Sequence, residues 1–355
     1  MDVTRLLKPR KLLVPGLLFV LLIFLVTFPF YGLPVYYVVL FFTFFLFAIL
    51  AMSWAMFSGP TGYMSLATAV FLGVGIYTTT ILYSFVKRDI LSTLPVDALQ
   101  PVVTVFLIGA VAAGGLVSFI FALLIGLVTL RLKGVYFTIF TFGLIVFVMQ
   151  LVLFLEIHIT GTRGRSLILP GTGAPLAGTT TIYYIMLGIL IATVVTAYFI
   201  RRSRLGLAMQ CIGGNEEAAA HMGVDTTRVK VLSFAISAAF MGAVGAIMAP
   251  RLTYIDPGIA FNMLYSFMPV LMAVFGGMGK LYGPVIGAVI FTYLQRTLMT
   301  ELPQYYMLTF GIILIICVLF LPGGLVGLIP TLRSRLGRLT VKLRKGREAR
   351  QHANT

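Results

Sequence analysis

Arg201-Arg202-Ser203-Arg204-Leu205-Gly206 opens and Arg228-Val229-Lys230 closes the one long polar excursion of an otherwise oily chain, and at its centre runs Glu217-Ala218-Ala219-Ala220-His221-Met222-Gly223. On either side, Ile182–Ile200 and Val231–Pro250 are apolar runs long enough to cross a bilayer as helices. The polar stretch is therefore a connection between two spans. Its centre predicts a short amphipathic helix, with Glu216 and Glu217 in the first turn, where carboxylates suit the helix dipole, and Gly223 as the left-handed stop.

Working outward, 60% of the 355 residues are hydrophobic and 10% charged, with a mean hydropathy of +1.05. No soluble globular class has that composition, and apolar runs of helical length exclude the short alternating segments of an outer-membrane barrel. The net charge of +16 sits mostly at span ends and termini, which is the pattern of membrane orientation and anionic-lipid contact, not of nucleic-acid binding. The basic start and apolar run of Met1 to Phe30 lack a small-residue cleavage site and are read as a first span. Cys211 and Cys317, far apart and without a CxxC or a nearby His, support neither a disulfide nor a metal site.

Spans are expected at Leu12–Phe30, Val35–Phe57, Leu66–Val86, Val102–Leu130, Val135–Glu156, Ile182–Ile200 and Val231–Pro250, with Met263–Arg296 and Gln304–Pro322 completing the set. Counting Met263–Arg296 as one crossing would put the N-terminal cations and the basic tail from Arg333 to Arg350 on opposite sides. The interruption Gly276-Gly277-Met278-Gly279-Lys280-Leu281-Tyr282-Gly283-Pro284 resolves this by dividing the segment into two thin spans or a re-entrant pair. The expected fold is all-α: a polytopic helical membrane protein of about ten membrane segments, broken at Gly-rich segments, with N and C termini cytoplasmic. Residues 1–330 form the transmembrane domain, with 201–230 as its cytoplasmic loop, and 331–355 form a basic cytoplasmic tail. A second interruption, Ser58-Gly59-Pro60-Thr61-Gly62-Tyr63-Met64-Ser65, is either a tight turn or, paired with the first, a pointer to a permeation path. Ala238, Gly242 and Ala246, and likewise Gly283 and Gly287, recur at four-residue spacing, which predicts close helix contacts.

Some chemistry is missing from the sequence. The ten acidic residues all lie near span ends, in loops or in tails, so no deep protonatable relay is visible, which weakens a proton-coupled carrier. Gly277-Met278-Gly279-Lys280 lacks the earlier Gly and the following Ser or Thr of a phosphate loop. No nucleophile-base or paired-carboxylate set lies within a span. The chain is thus not an enzyme and does not hydrolyse ATP alone. The amphipathic helix at Glu217–Gly223 is either a solvated connector or the lever of a separate motor.

The chain resembles, over nearly its full length, the LivM-like permease subunit of branched-chain amino-acid ABC importers. Glu217-Ala218-Ala219 with Gly223 matches the EAA-x-x-x-Gly coupling motif of importer permeases. Gly59, Gly62, Ser65-Leu66, Ala69, Phe71, Gly73, Gly75 and Tyr77 are similar to that family's first Gly-rich segment, and Arg131-Leu132-Lys133-Gly134-Val135-Tyr136-Phe137 to its Arg-x-Arg/Lys-Gly-x-Tyr-Phe. Tyr254-Ile255 with Pro257, Gly276-Gly277-Met278-Gly279 with Gly283-Pro284 and Gly287-Ala288, and Phe320 to Leu328 extend the match. Thr68 and Tyr63 stand where a His and a Gln are frequent, and Gly213-Gly214 where a charged pair is.

The resemblance implies a multi-pass protein of the bacterial inner membrane that works with a LivH-like sister permease, two cytoplasmic ATPase subunits, a periplasmic amino-acid-binding protein and membrane lipids. The chain itself would bind no cofactor or metal; ATP and magnesium would sit on the ATPases. Coupling falls to Glu216, Glu217, Ala218, Ala219, His221, Met222 and Gly223. Gly62, Tyr63, Ser65, Thr68, Gly73, Tyr77, Gly276, Gly277 and Gly279 are expected along the substrate path. Branched-chain amino acids are the expected cargo; urea or a short amide, or a stand-alone ion-coupled carrier, are the alternatives.

Overall fold

The computed structural model describes residues 20, 22–32, 34–86, 96–168, 176–252, 254–305, 308–313, 315 and 324. The chain is mostly helical. In order, α1 is Val35–Thr61, α2 Thr68–Val86, α3 Val96–Thr129, α4 Val135–Thr160, α5 Thr179–Arg202, α6 Arg204–Gly214, α7 Glu216–His221, α8 Thr226–Met248, α9 Pro257–Ala260, α10 Leu264–Gly276 and α11 Gly283–Glu301. Two-residue strands β1 (Arg165–Ser166) and β2 (Tyr254–Ile255) pair antiparallel, Arg165 opposite Ile255.

Among the described residues, seven helices are long and apolar enough to cross a membrane: Val35–Thr61, Thr68–Val86, Pro101–Thr129, Val135–Ile159, Thr179–Arg202, Thr226–Arg251 and Pro257–Gly276. The expected first span is described only from residue 20, where the apolar helix Leu22–Tyr31 is short. Most of Gln304–Pro322, Cys317 and the tail 331–355 lie outside the described residues.

Chain punctuation follows local chemistry. Gly62, Gly134 and Gly161 adopt positive φ at helix boundaries, a region open to residues without a Cβ. Ser203, Asn215 and Asp225 each accept a backbone N–H at a helix start, from Gly206, Ala218 and Arg228. The polar excursion is shorter and more structured than its sequence suggests. Arg201 and Arg202 complete the last turn of α5, Lys230 lies inside α8, and α6 precedes the expected short helix.

Helix α8 is the centre of the bundle, with 72% of its most apolar window buried, against 22% for α4. Its small residues allow this. A Cβ on Gly75 of α2 would collide with the Gly242 carbonyl, one on Gly245 with the Leu72 carbonyl, and one on Gly114 of α3 would lie 2.8 Å from Ala246 Cβ. The face predicted from Ala238, Gly242 and Ala246 is therefore where α2 and α3 press onto α8. Helices α10 and α11 form an antiparallel hairpin sealed the same way: Gly276 lies against the Gly283 carbonyl, and Gly287 against that of Met272.

Candidate functional site

Helix α7 begins and ends by side-chain and glycine chemistry. Asn215 Oδ1 accepts the Ala218 N–H at 3.1 Å, which satisfies one of the free donors of the first turn. At the other end Gly223 takes φ 85°; its N–H bonds the Ala220 carbonyl at 3.0 Å and the Val224 N–H bonds that of Ala219 at 3.1 Å, a Schellman closure. Ala219 is buried, whereas Glu217, Ala218, Ala220, His221, Met222 and Gly223 are exposed on one outward surface. An apolar Met222, 69% exposed, beside Glu217 and His221 gives that surface mixed docking chemistry.

Glu216 faces inward. Its Oε1 lies 2.6 Å from Lys230 Nζ, and its Oε2 accepts the Tyr63 hydroxyl. Lys230 also donates to the Tyr63 hydroxyl at 3.3 Å and to the Leu130 carbonyl at 3.1 Å. Burial opposes the Glu216 charge, but the hydrogen bonds from Lys230 and Tyr63, with the fields of Lys230 and Lys133, hold its carboxyl below the ordinary range. Burial and the adjoining carboxylate push the Tyr63 phenol well above its ordinary value, so it stays a neutral donor. Lys133 pairs with Glu217 at 3.3 Å, both largely exposed.

The two interruptions in the sequence meet beside this network. A Cβ on Gly59, near the end of α1, would lie 3.8 Å from the Cβ and carbonyl oxygen of Met278 in the α10–α11 turn. Arg201 at the end of α5 fastens that turn, donating from one guanidinium nitrogen to the Met278 carbonyl at 3.0 Å and the Gly279 carbonyl at 3.2 Å. Between them opens a cavity of about 340 Å³ whose wall includes Gly59, Pro60, Arg201, Gln210, Gly279 and Lys280, the remainder being largely Met, Ala, Ile and Leu. That volume and mixed lining fit a small amphiphilic solute. Gly213 of α6 crosses the end of α1 so closely that a Cβ would strike the Pro60 carbonyl, which accounts for a glycine where a charged residue was frequent.

The expected path residues fall in three places. Gly62, Tyr63 and Ser65 lie in the α1–α2 connection, where the Trp54 indole donates to the Ser65 carbonyl at 2.7 Å and Tyr63 turns to Glu216. Gly276, Gly277 and Gly279 belong to the α10–α11 hairpin and its turn, Gly279 alone of the three lining the cavity. Gly73 lies in the first third of α2 and Tyr77 at its middle, and both serve Phe261: the ring lies where a Cβ on Gly73 would be, and Tyr77 stacks on it at 5.8 Å and 17°. Thr68 is buried at the start of α2, its hydroxyl without a hydrogen-bond partner. Sequence reasoning missed the inward role of Lys230, read only as the close of the polar excursion, and a polar cluster at the far end. There Tyr77 donates to buried Glu156 at 3.3 Å, Arg165 pairs with Glu156 at 3.3 Å, and Arg163 with Asp256 at 2.7 Å. Among the described residues no group of three His, Cys, Asp or Glu side chains gathers to hold a metal.

Comparison with known proteins adds a family. Residues 36–319 match the family model described as branched-chain amino acid transport system / permease component. The chain is 26% identical over 321 residues to the high-affinity branched-chain amino acid transport system permease protein LivM of Salmonella typhimurium, a match that covers 83% of this chain and 69% of that one. LivM of Escherichia coli K12 is 26% identical over 293 residues, 75% of this chain and 64% of the relative. LivH of Salmonella typhimurium is 30% identical over 139 residues, 39% of this chain and 44% of the relative. No solved structure matches.

Proposed function

The chain belongs to the branched-chain amino acid transport system permease family, and from that premise we propose that it is the membrane-spanning subunit of an ATP-driven importer for branched-chain, aliphatic amino acids. Its place is the inner membrane. It works there with a sister permease, as the likeness to both LivM and LivH supports, with two cytoplasmic ATPase subunits that hold ATP and magnesium, and with a periplasmic binding protein that delivers the cargo. Both termini and the polar excursion face the cytoplasm, the basic tail 331–355 follows the permease domain 1–330, and about ten membrane segments result when the α10–α11 hairpin contributes a divided pair.

The single observation that carries this reading is α7. A capped six-residue helix shows its Glu217–Gly223 surface to the cytoplasm while Glu216 reaches back to the bundle, which is the shape a motor needs in order to push on spans. Closure of the ATPases on ATP displaces α7 and rocks the bundle between inward- and outward-facing states, a rigid-body change. The cavity at Gly59, Pro60 and Gly279 is the cytoplasmic end of the path, and Gly73 and Tyr77 lie farther along it, toward the middle of α2. An aliphatic side chain suits the Met-rich wall, and Arg201 and Lys280 suit a carboxylate.

The test is uptake into proteoliposomes of the chain co-purified with its ATPases and sister permease. Leucine uptake that depends on ATP and on the binding protein is expected. Urea uptake in its place, or uptake by this chain alone without an ATPase, would overturn the proposal.

A further inference from the structure

Lys230 does more than a cation at a helix start requires. Its side chain is 4% exposed, and its ammonium meets Glu216 of α7, the Tyr63 hydroxyl of the α1–α2 connection and the Leu130 carbonyl just beyond α3. An ammonium has three donors, so these three acceptors saturate it. Tyr63 in turn gives its one hydroxyl hydrogen to Glu216. Lysine, tyrosine and glutamate thus form a closed ring joining segments that are distant in the chain. Breaking one side of such a half-buried ring leaves the buried Lys230 charge or a dipole uncompensated, which makes it stiff.

The covalent route from α7 into the spans is poor by comparison. Asn215 alone separates α6 from α7 and Met222-Gly223-Val224-Asp225 follows α7, the glycine at each joint, Gly214 and Gly223, has open space around it, and Ala219 is the helix's only buried residue. Movement of α7 could be absorbed at these joints. The ring bypasses them, because Tyr63 lies two residues past the end of α1 and α1 supplies Gly59 and Pro60 to the cavity wall.

We propose that Lys230 is a positioning residue for transport: with Tyr63 and Glu216 it locks α7 to the α1–α2 connection, so that displacement of α7 reaches the cavity wall instead of being lost at the glycine joints. This rests on α7 being where the ATPases push. The experiment uses the full complex in liposomes and reads leucine moved per ATP hydrolysed. For Lys230→Met this ratio is expected to fall about tenfold, the scale of an ordinary coupling free energy, while ATP hydrolysis stays within about twofold of the unaltered complex. Tyr63→Phe, which removes one oxygen from the ring and serves where Lys230→Met fails to assemble, is expected to lower the ratio about threefold. The double variant should be no worse than Lys230→Met alone, since both break one ring. An unchanged ratio in Tyr63→Phe or Lys230→Met, or strictly additive losses, overturns the proposal. Absence of ATP-driven uptake in the unaltered complex would remove the permease reading and this proposal together, an outcome distinct from uptake that persists at an unchanged ratio.

Discussion

At the scale of single residues, glycines and one carboxylate make the sharpest predictions. Gly242 of α8 has Ser118 Oγ and the Gly114 carbonyl where its Cβ would be. Gly242→Val should therefore force α3 away from α8 and destabilise the bundle by about 1–3 kcal/mol. Gly143 and Gly188 have nothing within 4 Å of that position, and alanine there should be neutral or stabilising by up to about 1 kcal/mol; thermal unfolding in detergent compares all three. Glu216 sets a pH dependence. Its folded pKa is depressed, so its contribution is complete above the ordinary carboxylate value of about 4.3 and is lost only as pH falls through the lower folded value. Leucine moved per ATP should accordingly be flat from about pH 8 to pH 5 as far as this group is concerned, and a titration centred near pH 6 would show that Glu216 is not held as described.

Among elements, α7 can be tested without disturbing the spans. Gly223→Pro places a ring fixed near φ −65° where φ is 85° and removes the N–H that bonds Ala220. Uptake and substrate-stimulated ATP hydrolysis should both vanish while the protein still inserts, as membrane extraction and uptake assays on one preparation would show. Glu217→Lys reverses the exposed pair with Lys133, which is worth at most about 1 kcal/mol to folding. A large transport defect in that variant, with unchanged thermal stability, would locate the effect at the docking surface. Legibility in the sequence differed sharply between elements. Apolar length marked the spans from α1 to α8, and the two glutamates and Gly223 marked α7, because those signals are local. Helix α6 was missed, although Ser203 caps it and its buried Gly206, Met209 and Ile212 recur three apart, since it is short and its three glycines read as loop punctuation. The burial of Lys230 and the meeting of Gly59 with Met278 were invisible for another reason: each depends on partners far away along the chain.

For the whole molecule, orientation is the decisive quantity. A thiol probe that cannot cross the membrane should reach cysteines placed at His221 and Arg344 from one side and one at Arg163 from the other; labelling of His221→Cys and Arg163→Cys from the same side would defeat the proposed topology. The far end has its own anchor. The Arg163 hydrogen bond to Asp256 draws that carboxyl below its ordinary range, with burial opposing and the Gly258 and Ile259 N–H groups assisting, so the β1–β2 ladder should keep its hydrogen-exchange protection until the pH falls below about 4. At the opposite end, the cavity wall carries Arg201 and Lys280 and, among the described residues, no carboxylate. Fixed positive charge at the mouth of a pore repels sodium ions and hydrated protons. On the proposed path the importer can therefore open to the cytoplasm with its cargo while the membrane potential is kept from leaking through the same opening.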